Sequence, residues 1–302
     1  MGSEMCIRDR LILVLLKSDG FPTYHLASVI DDNDMNISHV IRGEDHISNT
    51  PKQMLIYKAL GWTMPKFGHL PMILGSDGKR LSKRHGAKGT SEYKDLGYLP
   101  DTLINYLALL GWNPGNDDEI FDFNYLQENF SLDKVNKKSA VFDTTKLEWV
   151  SSQNIFKIPA AKLVDIASEF DPTWCGEGHN LDYLINVIDL IKDRIKTLSD
   201  IKENAYYFFN HPTKYDEAAM KKCWVENSNS ILNNFQEELS QLDDWNSSNI
   251  DELVDKCVNA FNIGKGNLMQ PLRIALTGAL KGPSIPDLMT TLGEATCLIR
   301  IK

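Results

Sequence analysis

The sequence predicts an α/β segment followed by a mainly α-helical bundle. Two short apolar runs with strand character, residues 12–16 and 37–41, lie near the start, and residues 24–30 between them have helical periodicity. From Ala160 onward no strand-like alternation remains, so the second part is expected to be all-helical. Its apolar faces are Leu181, Leu184, Ile185, Ile188, Ile191, Ile195 and Leu198, then Ile231, Phe235, Leu239 and Leu242, then Leu253, Cys257, Val258 and Phe261.

The composition is that of a globular protein with two or three domains. The chain has 302 residues, of which 42% are hydrophobic, and no run approaches the roughly 18 apolar residues that a membrane span needs. We therefore expect a cytoplasmic protein without a membrane partner. The five cysteines are scattered and form no Cys-x-x-Cys pair, so neither a disulfide framework nor a zinc site is predicted.

The first candidate site residue follows the apolar run at residues 37–41, which we interpret as a parallel strand. Arg42 is predicted just past the end of this strand, where open α/β sheets bind their ligands. A second interpretation is that Arg42 is structural and pairs with Glu44 or Asp45.

A helix is predicted next, with unusually clear boundaries. Thr50 is its expected N-cap, Pro51 takes the first position, Gln53 completes a capping box, and Gly61 ends the helix. Residues 71–74 are then interpreted as a strand that brings Ile73 close to a bound nucleotide.

A third helix is predicted over residues 100–110. It is expected to bury Leu103, Leu107 and Leu110 and to stop at Gly111. The turn-rich residues 113–118 follow, and we expect a change of domain near them.

A strongly cationic loop follows the strand that is predicted at residues 71–74. The segment Lys79-Arg80-Leu81-Ser82-Lys83-Arg84-His85-Gly86 places four cations and a hydroxyl between glycines, a composition suited to binding phosphates. Judged on composition alone, a solvated basic loop is the other interpretation.

Charge is distributed unevenly along the chain. The formal net charge is −9, yet residues 52–94 hold nine Lys and Arg residues against two acids, and residues 256–286 hold four cations and no acid. Such patches on an acidic body suit a protein that binds one polyanion in defined places. For the second patch, a merely solvated face is the alternative.

These segments together resemble bacterial glutamyl-tRNA synthetase, a class I enzyme family. The resemblance extends to Leu110-Gly111-Trp112 and to residues 270–278, and thus covers nearly everything after residue 10. It rests most on four ordered blocks, which are Phe21-Pro22-Thr23-Tyr24-His25-Leu26-Ala27, Val40-Ile41-Arg42-Gly43-Glu44-Asp45-His46, His69-Leu70-Pro71 and the signature-like loop Arg80-Leu81-Ser82-Lys83-Arg84.

The resemblance implies a partial Rossmann-like nucleotide-binding core followed by a helical anticodon-binding bundle. We expect a non-native leader over residues 1–10, the second half of a catalytic domain over 11–90, a connecting domain over 91–155 and the anticodon-binding domain over 156–302. The family's His-x-Gly-His signature is absent from this sequence. The chain is therefore expected to be a fragment that is inactive alone.

The function that the resemblance implies is ATP-dependent activation of L-glutamate, followed by transfer of the glutamyl group to tRNA(Glu). Mg²⁺ is expected with ATP, and the protein is expected to be a monomer. Lys83 and Arg80 take the catalytic role on the phosphates. ATP-binding residues by resemblance are Asp45, Ile73, Arg80, Leu81, Ser82, Lys83 and Arg84, and glutamate-binding residues are Tyr24, Ser28 and Arg42.

Three positions depart from the family's usual pattern. Asp45 stands where glutamate is usual, Ser28 replaces an asparagine, and Arg80 replaces the first lysine of the loop. For Tyr24, a core aromatic on a helix face is the competing interpretation. For the whole chain, the alternatives are a tRNA-binding fragment without catalysis and a relative of glutaminyl-tRNA synthetase.

Overall fold

A computed structural model describes residues 13–82 and 88–301 of the chain. Its strands are β1 (His39–Gly43) and β2 (Lys66–Leu70). Its helices are α1 (Tyr24–Asp34), α2 (Thr50–Leu60), α3 (Thr90–Asp95), α4 (Pro100–Leu109), α5 (Phe123–Asn129), α6 (Thr144–Lys157), α7 (Ala160–Phe170), α8 (Leu181–Ile191), α9 (Asp200–Phe209), α10 (Glu217–Cys223), α11 (Ser228–Leu239), α12 (Ser247–Ala260), α13 (Gly266–Thr277), α14 (Ile285–Leu292) and α15 (Glu294–Ile301). Short 3₁₀ helices occupy Glu44–Asn49, Leu132–Lys134 and Lys192–Arg194.

The contacts divide the described residues into two compact units. The first holds residues 13–82, Leu107–Asp117 and Asn129–Asp143, and the second holds residues 88–106, 118–128 and 144–301. The first contains both strands, and from Ala160 to Ile301 the chain contains helices without strands. The predicted order of an α/β segment and then a helical bundle is confirmed. In this described part, no helix is both long and apolar enough to cross a membrane.

The sheet of the first unit consists of two parallel strands. Residues of β1 pair with residues of β2 in a register that sets Arg42 opposite His69. Parallel strands need a crossover connection, and here α2 provides it. The small core beneath the sheet is formed by Val29, Ile56 and Tyr57, with Phe67 packed against it.

Of three local predictions for this unit, two change in detail and one is confirmed. β1 begins and ends two residues later than predicted, and because it ends at Gly43, Arg42 lies inside the strand and not past its end. The prediction of a capping box at the start of α2 is wrong, because Asn49 is the N-cap and its side chain makes no capping hydrogen bond. The end at Gly61 is confirmed, since this residue has the left-handed φ of 68° that favours glycine.

The apolar run at the start is not the buried strand that its composition predicts. Among the described residues Leu16 makes a single antiparallel bridge to Pro22, and the chain turns back on itself through the Lys17 N–H bond to the Phe21 carbonyl. Val14 is 62% exposed. Leu15 and Leu16 are exposed as well, whereas Leu13 packs against the small core.

Residues 71–74 form no strand of their own. Leu74 alone makes bridges, to Arg80 on one side and to Val141 on the other. Between Leu74 and Arg80 the chain reverses in a tight turn, in which the Gly75 N–H donates to the Lys79 carbonyl. The turn therefore carries the start of the cationic loop back beside Leu74.

The second unit is a helical bundle with an extensive apolar core. The periodicity predicted from sequence is confirmed for Ile188, Ile191, Ile195, Phe235 and Leu239, each of which is fully buried. Leu181, in the first turn of α8, and Phe261, directly after α12, depart from it because both are exposed. The other positions of the predicted faces are buried or half-buried, so the core follows helical spacing.

Of the three leucines that were predicted to be buried at helix α4, only Leu110, directly after this helix, is buried. Leu107 is 56% exposed, and Leu103 is only half-buried. Fully buried instead is Asn105, whose amide donates to the Glu119 carbonyl and accepts from the Phe121 N–H. A buried amide that is satisfied by a neighbouring loop replaces apolar packing on this face.

Candidate active site

The carboxyl end of β1 presents a half-buried arginine. One terminal nitrogen of Arg42, Nη2, donates to Thr50 Oγ1 at 2.8 Å and to Gln53 Oε1 at 2.7 Å. The guanidinium carbon lies 5.7 Å from the centre of the Phe67 ring, within cation–π range. Two neutral oxygens and an aromatic face therefore hold the cation in place.

No acid forms an ion pair with Arg42 among the described residues. The interpretation in which Arg42 pairs with Glu44 or Asp45 is wrong, since both carboxylates are used elsewhere. Arg42 Nε and His25 Nδ1 are both buried without a hydrogen-bond partner in this part of the chain. A half-buried positive charge with an unused donor is a place for an anion.

Nearby titratable groups respond to this environment. Burial raises the pKa of the Asp32 carboxyl, and the positive charge of Arg42 partly opposes the rise. Burial also lowers the pKa of His25, and the charges of Lys52 and Arg42 lower it further. Both shifts favour the neutral form of the group concerned.

Two acids connect the strand end to the segment that leads into the cationic loop. Glu44 Oε1 accepts from the Met72 N–H at 3.0 Å, and Asp45 Oδ2 lies 3.1 Å from Arg80 Nη2. A Cβ on Gly43 would come within 2.6 Å of Asp45 Oδ1, so the absence of a side chain there leaves room for the carboxylate. The ion pair is largely solvent-exposed and contributes little to stability, but it sets where Arg80 lies.

The described part of the cationic loop, residues 79–82, continues the backbone pairing that starts at the bridge between Leu74 and Arg80. The Leu81 N–H donates to the Ile73 carbonyl at 2.9 Å, which places Ile73 beside the loop. Leu81 and Ser82 are half-buried. Lys83 and Arg84 lie outside the described residues.

Tyr24, in the first turn of α1, faces the same strand end. Its side chain is 53% exposed, so the interpretation of Tyr24 as a core aromatic is wrong. The hydroxyl lies 3.5 Å from His46 Nδ1, which is also 3.2 Å from Asn49 Nδ2. Ser28 follows one helical turn later and is half-buried, so it shares a face with Tyr24.

The structure thus brings part of the predicted set of site residues together. Tyr24, Asp45 and Arg80 are linked by direct contacts or through His46. Arg42 reaches His46 only through Thr50, whose Oγ1 donates to the His46 carbonyl. Sequence reasoning missed the contacts of Thr50, Gln53 and Glu44. A polar residue in the first turn of a helix looks like a cap in sequence, and only the tertiary contact with Arg42 shows otherwise.

In the second basic segment, residues 256–286, two of the cations already form ion pairs. Lys256 pairs with Glu238, and Lys265 lies 3.0 Å from Asp251 and 2.8 Å from Asp255. Acids outside residues 256–286 therefore neutralise half of its cations.

Comparison with known proteins gives the same assignment for both parts of the chain. Residues 8–149 match the model of the catalytic domain of class I tRNA synthetases of the E and Q type, and residues 161–302 match an anticodon binding domain. The chain is 43% identical over 300 residues to the glutamate–tRNA ligase of Chloroherpeton thalassium, covering 96% of this chain and 60% of that protein. It is 42% identical over 290 residues to glutamate–tRNA ligase 1 of Syntrophus aciditrophicus, covering 96% and 61%.

Solved structures agree with these relatives. The glutamate tRNA ligase of Elizabethkingia meningosepticum, solved in complex with its amino acid, superposes with a TM-score of 0.85 at 34% identity. That match covers 95% of this chain and 61% of the other. The glutamate–tRNA synthetase of Elizabethkingia anophelis gives a TM-score of 0.80 at 33% identity, covering 96% and 61%.

Proposed function

The chain belongs to the class I tRNA synthetases of the glutamate and glutamine type, and we therefore propose that the complete gene product is an ATP-dependent glutamate–tRNA ligase. This family uses ATP as a substrate. The chain spans about 60% of the length of the curated relatives it matches. Activity, substrates and partners are accordingly proposed for the protein as a whole.

The observation that carries this proposal is the unpaired charge of Arg42. Glutamate differs from glutamine by a negative charge on its side chain, and a half-buried guanidinium with an unused donor favours the charged substrate. We assign the side-chain carboxylate of glutamate to Arg42, with Tyr24 and Ser28 as further contacts. Glutamine would leave the cation without a counter-charge, which is the basis of discrimination.

The proposed reaction needs no protein nucleophile. An oxygen of the α-carboxylate of glutamate attacks the α-phosphorus of ATP, and the bond from this phosphorus to pyrophosphate breaks. A ribose hydroxyl of the tRNA terminus then attacks the acyl carbon, and AMP leaves with the hydroxyl proton. Catalysis consists mainly of positioning the reactants and stabilising the charge that develops on the leaving phosphates.

ATP is proposed to lie along the strand end and the cationic loop. Lys83 and Arg80 are the proposed catalytic cations on the phosphates, with Ser82 and Arg84 beside them and Mg²⁺ accompanying ATP. Asp45 is assigned to the ribose or its surroundings, and Ile73 and Leu81 line the nucleotide. On this assignment, the Asp45–Arg80 ion pair lies next to the bound ATP.

The proposed partner is tRNA(Glu), bound through phosphates at the basic segment of residues 52–94 and by the helical bundle. We propose a monomeric protein of the cytoplasm. Because phosphate contacts release counter-ions, tRNA affinity is expected to fall steeply as salt is raised.

The experiment that tests this function uses the purified complete gene product. Pyrophosphate exchange into ATP should require glutamate, and tRNA(Glu) should become charged. Preference for glutamine over glutamate in the exchange assay would favour a glutaminyl-type enzyme instead. Salt-sensitive tRNA binding with no exchange would leave a binding protein without catalysis.

A further inference from the structure

Gln53 is a buried polar residue that contacts the proposed substrate-binding cation. Its side chain is only 3% exposed, and Oε1 accepts from Arg42 Nη2 at 2.7 Å. The other N–H of Arg42 Nη2 donates to Thr50 Oγ1 at 2.8 Å, and Thr50 lies about one turn earlier on α2. Both hydrogens of Nη2 are thereby used, and the guanidinium plane is fixed to the first turn of α2.

The same residue also carries an unused donor. Gln53 Nε2 is buried and has no hydrogen-bond partner among the described residues, as is the case for Arg42 Nε. Leaving a buried donor unpaired is unfavourable, so both atoms favour an acceptor beside the Arg42–Gln53 pair. A carboxylate oxygen, or a water that it displaces, would supply that acceptor.

We propose that Gln53 is a positioning and specificity-determining residue, which orients Arg42 through a neutral acceptor so that the guanidinium keeps its charge for an anionic amino acid side chain. This inference rests on the proposed function of Arg42. Neutrality is the essential property. A carboxylate at position 53 would hold Arg42 equally well but would also cancel its charge, whereas an amide holds it without doing so.

The decisive variant is Gln53→Glu in the complete gene product. We expect KM for glutamate in pyrophosphate exchange to rise at least about tenfold, with KM for ATP within about twofold of the parent, while the melting temperature stays equal or rises. A residue with only a structural role would tolerate this change, because glutamate preserves the acceptor for Arg42. The matched control is Ala59→Glu, which adds the same charge at an exposed position of α2 and should leave both KM values unchanged.

A second variant keeps the inference testable if Gln53→Glu fails to fold. Gln53→Met retains the side-chain length and removes the acceptor, and it should also raise KM for glutamate with KM for ATP maintained. A glutamate KM within about twofold of the parent in either folded variant would overturn the role of Gln53, while leaving the proposed function intact. A parent protein that does not activate glutamate would overturn both.

Discussion

Arg300 provides the sharpest test of how the helical bundle is held together. In the last turn of α15, its Nη1 donates to the carbonyls of Tyr207 and Leu276 at 2.7 and 2.8 Å, and Nη2 donates to the Asn210 carbonyl at 3.0 Å. These carbonyls lie at the carboxyl ends of α9 and α13, where a helix leaves its last carbonyls unpaired and favours a cation. The residue is 9% exposed.

The effect of Arg300→Met can be estimated from these contacts. The change keeps a long apolar stem and leaves two buried carbonyls without a donor, each at about 1–3 kcal/mol, whereas Asn210 is exposed and its carbonyl can bind water. Burial lowers the pKa of Arg300, so removing the charge recovers some desolvation energy. We expect a loss of about 3 kcal/mol, or roughly 6–12 °C in the melting temperature of a domain of this size.

Urea unfolding of the chain, followed by circular dichroism, measures this loss. The matched control is Arg194→Met, because the hydrogen bonds of Arg194 are to the exposed Asp193 carboxylate and the Leu190 carbonyl, and it should cost less than about 1 kcal/mol. A loss from Arg300→Met no larger than that of the control would refute the reasoning. It would mean that other hydrogen-bond donors satisfy the carbonyls at the ends of α9 and α13.

Three further predictions address charge, backbone and catalysis. Asp32→Asn should stabilise the chain at about pH 7 and not at about pH 3. Folding raises the pKa of the Asp32 carboxyl, so the folded protein loses stability as pH rises and this carboxyl ionises. Melting curves of parent and variant at both pH values check this, and an equal difference in melting temperature at the two pH values would contradict it. Gly97→Ala should destabilise the chain by more than about 2 kcal/mol, because φ is 80° and the new Cβ would lie 2.7 Å from the Ser199 nitrogen. The control is Gly178→Ala, where φ is 87° but the space around the new Cβ is open, so that only the backbone strain remains. Urea unfolding measures both variants, and similar losses of unfolding free energy would argue against the clash. Lys83→Ala in the complete gene product should slow pyrophosphate exchange about 10²-fold or more with a smaller effect on ATP binding, and a rate within about twofold of the parent would remove Lys83 from the proposed mechanism.

Helical periodicity identified the bundle correctly because its core is apolar and repeats. Ile188 and Phe235 are spaced with their neighbours as one buried face requires, and the sequence contains that information locally. Gly61 likewise marked the end of α2, since a left-handed residue there favours glycine. Such features depend on neighbours within a few residues.

The candidate site was only partly predictable, because its contacts join distant segments. Gln53 has the sequence signature of a capping residue, but its partner Arg42 belongs to a different element. Asp45 pairs with Arg80, 35 positions away, and no local pattern encodes that distance. Asn105 shows the same limit, because a polar residue on a helix is assumed to face solvent unless a loop satisfies it.

The central claim is that Arg42 selects the charged amino acid, and one measurement tests it most directly. Pyrophosphate exchange by the complete gene product is followed against glutamate and against glutamine, in the parent and in Arg42→Gln. We predict that the variant loses at least about tenfold in kcat/KM for glutamate, as expected for a lost charge-assisted hydrogen bond, while activity with glutamine is unchanged or improved. An unchanged glutamate dependence in the folded variant would contradict the account and leave Arg42 as a structural residue of the strand.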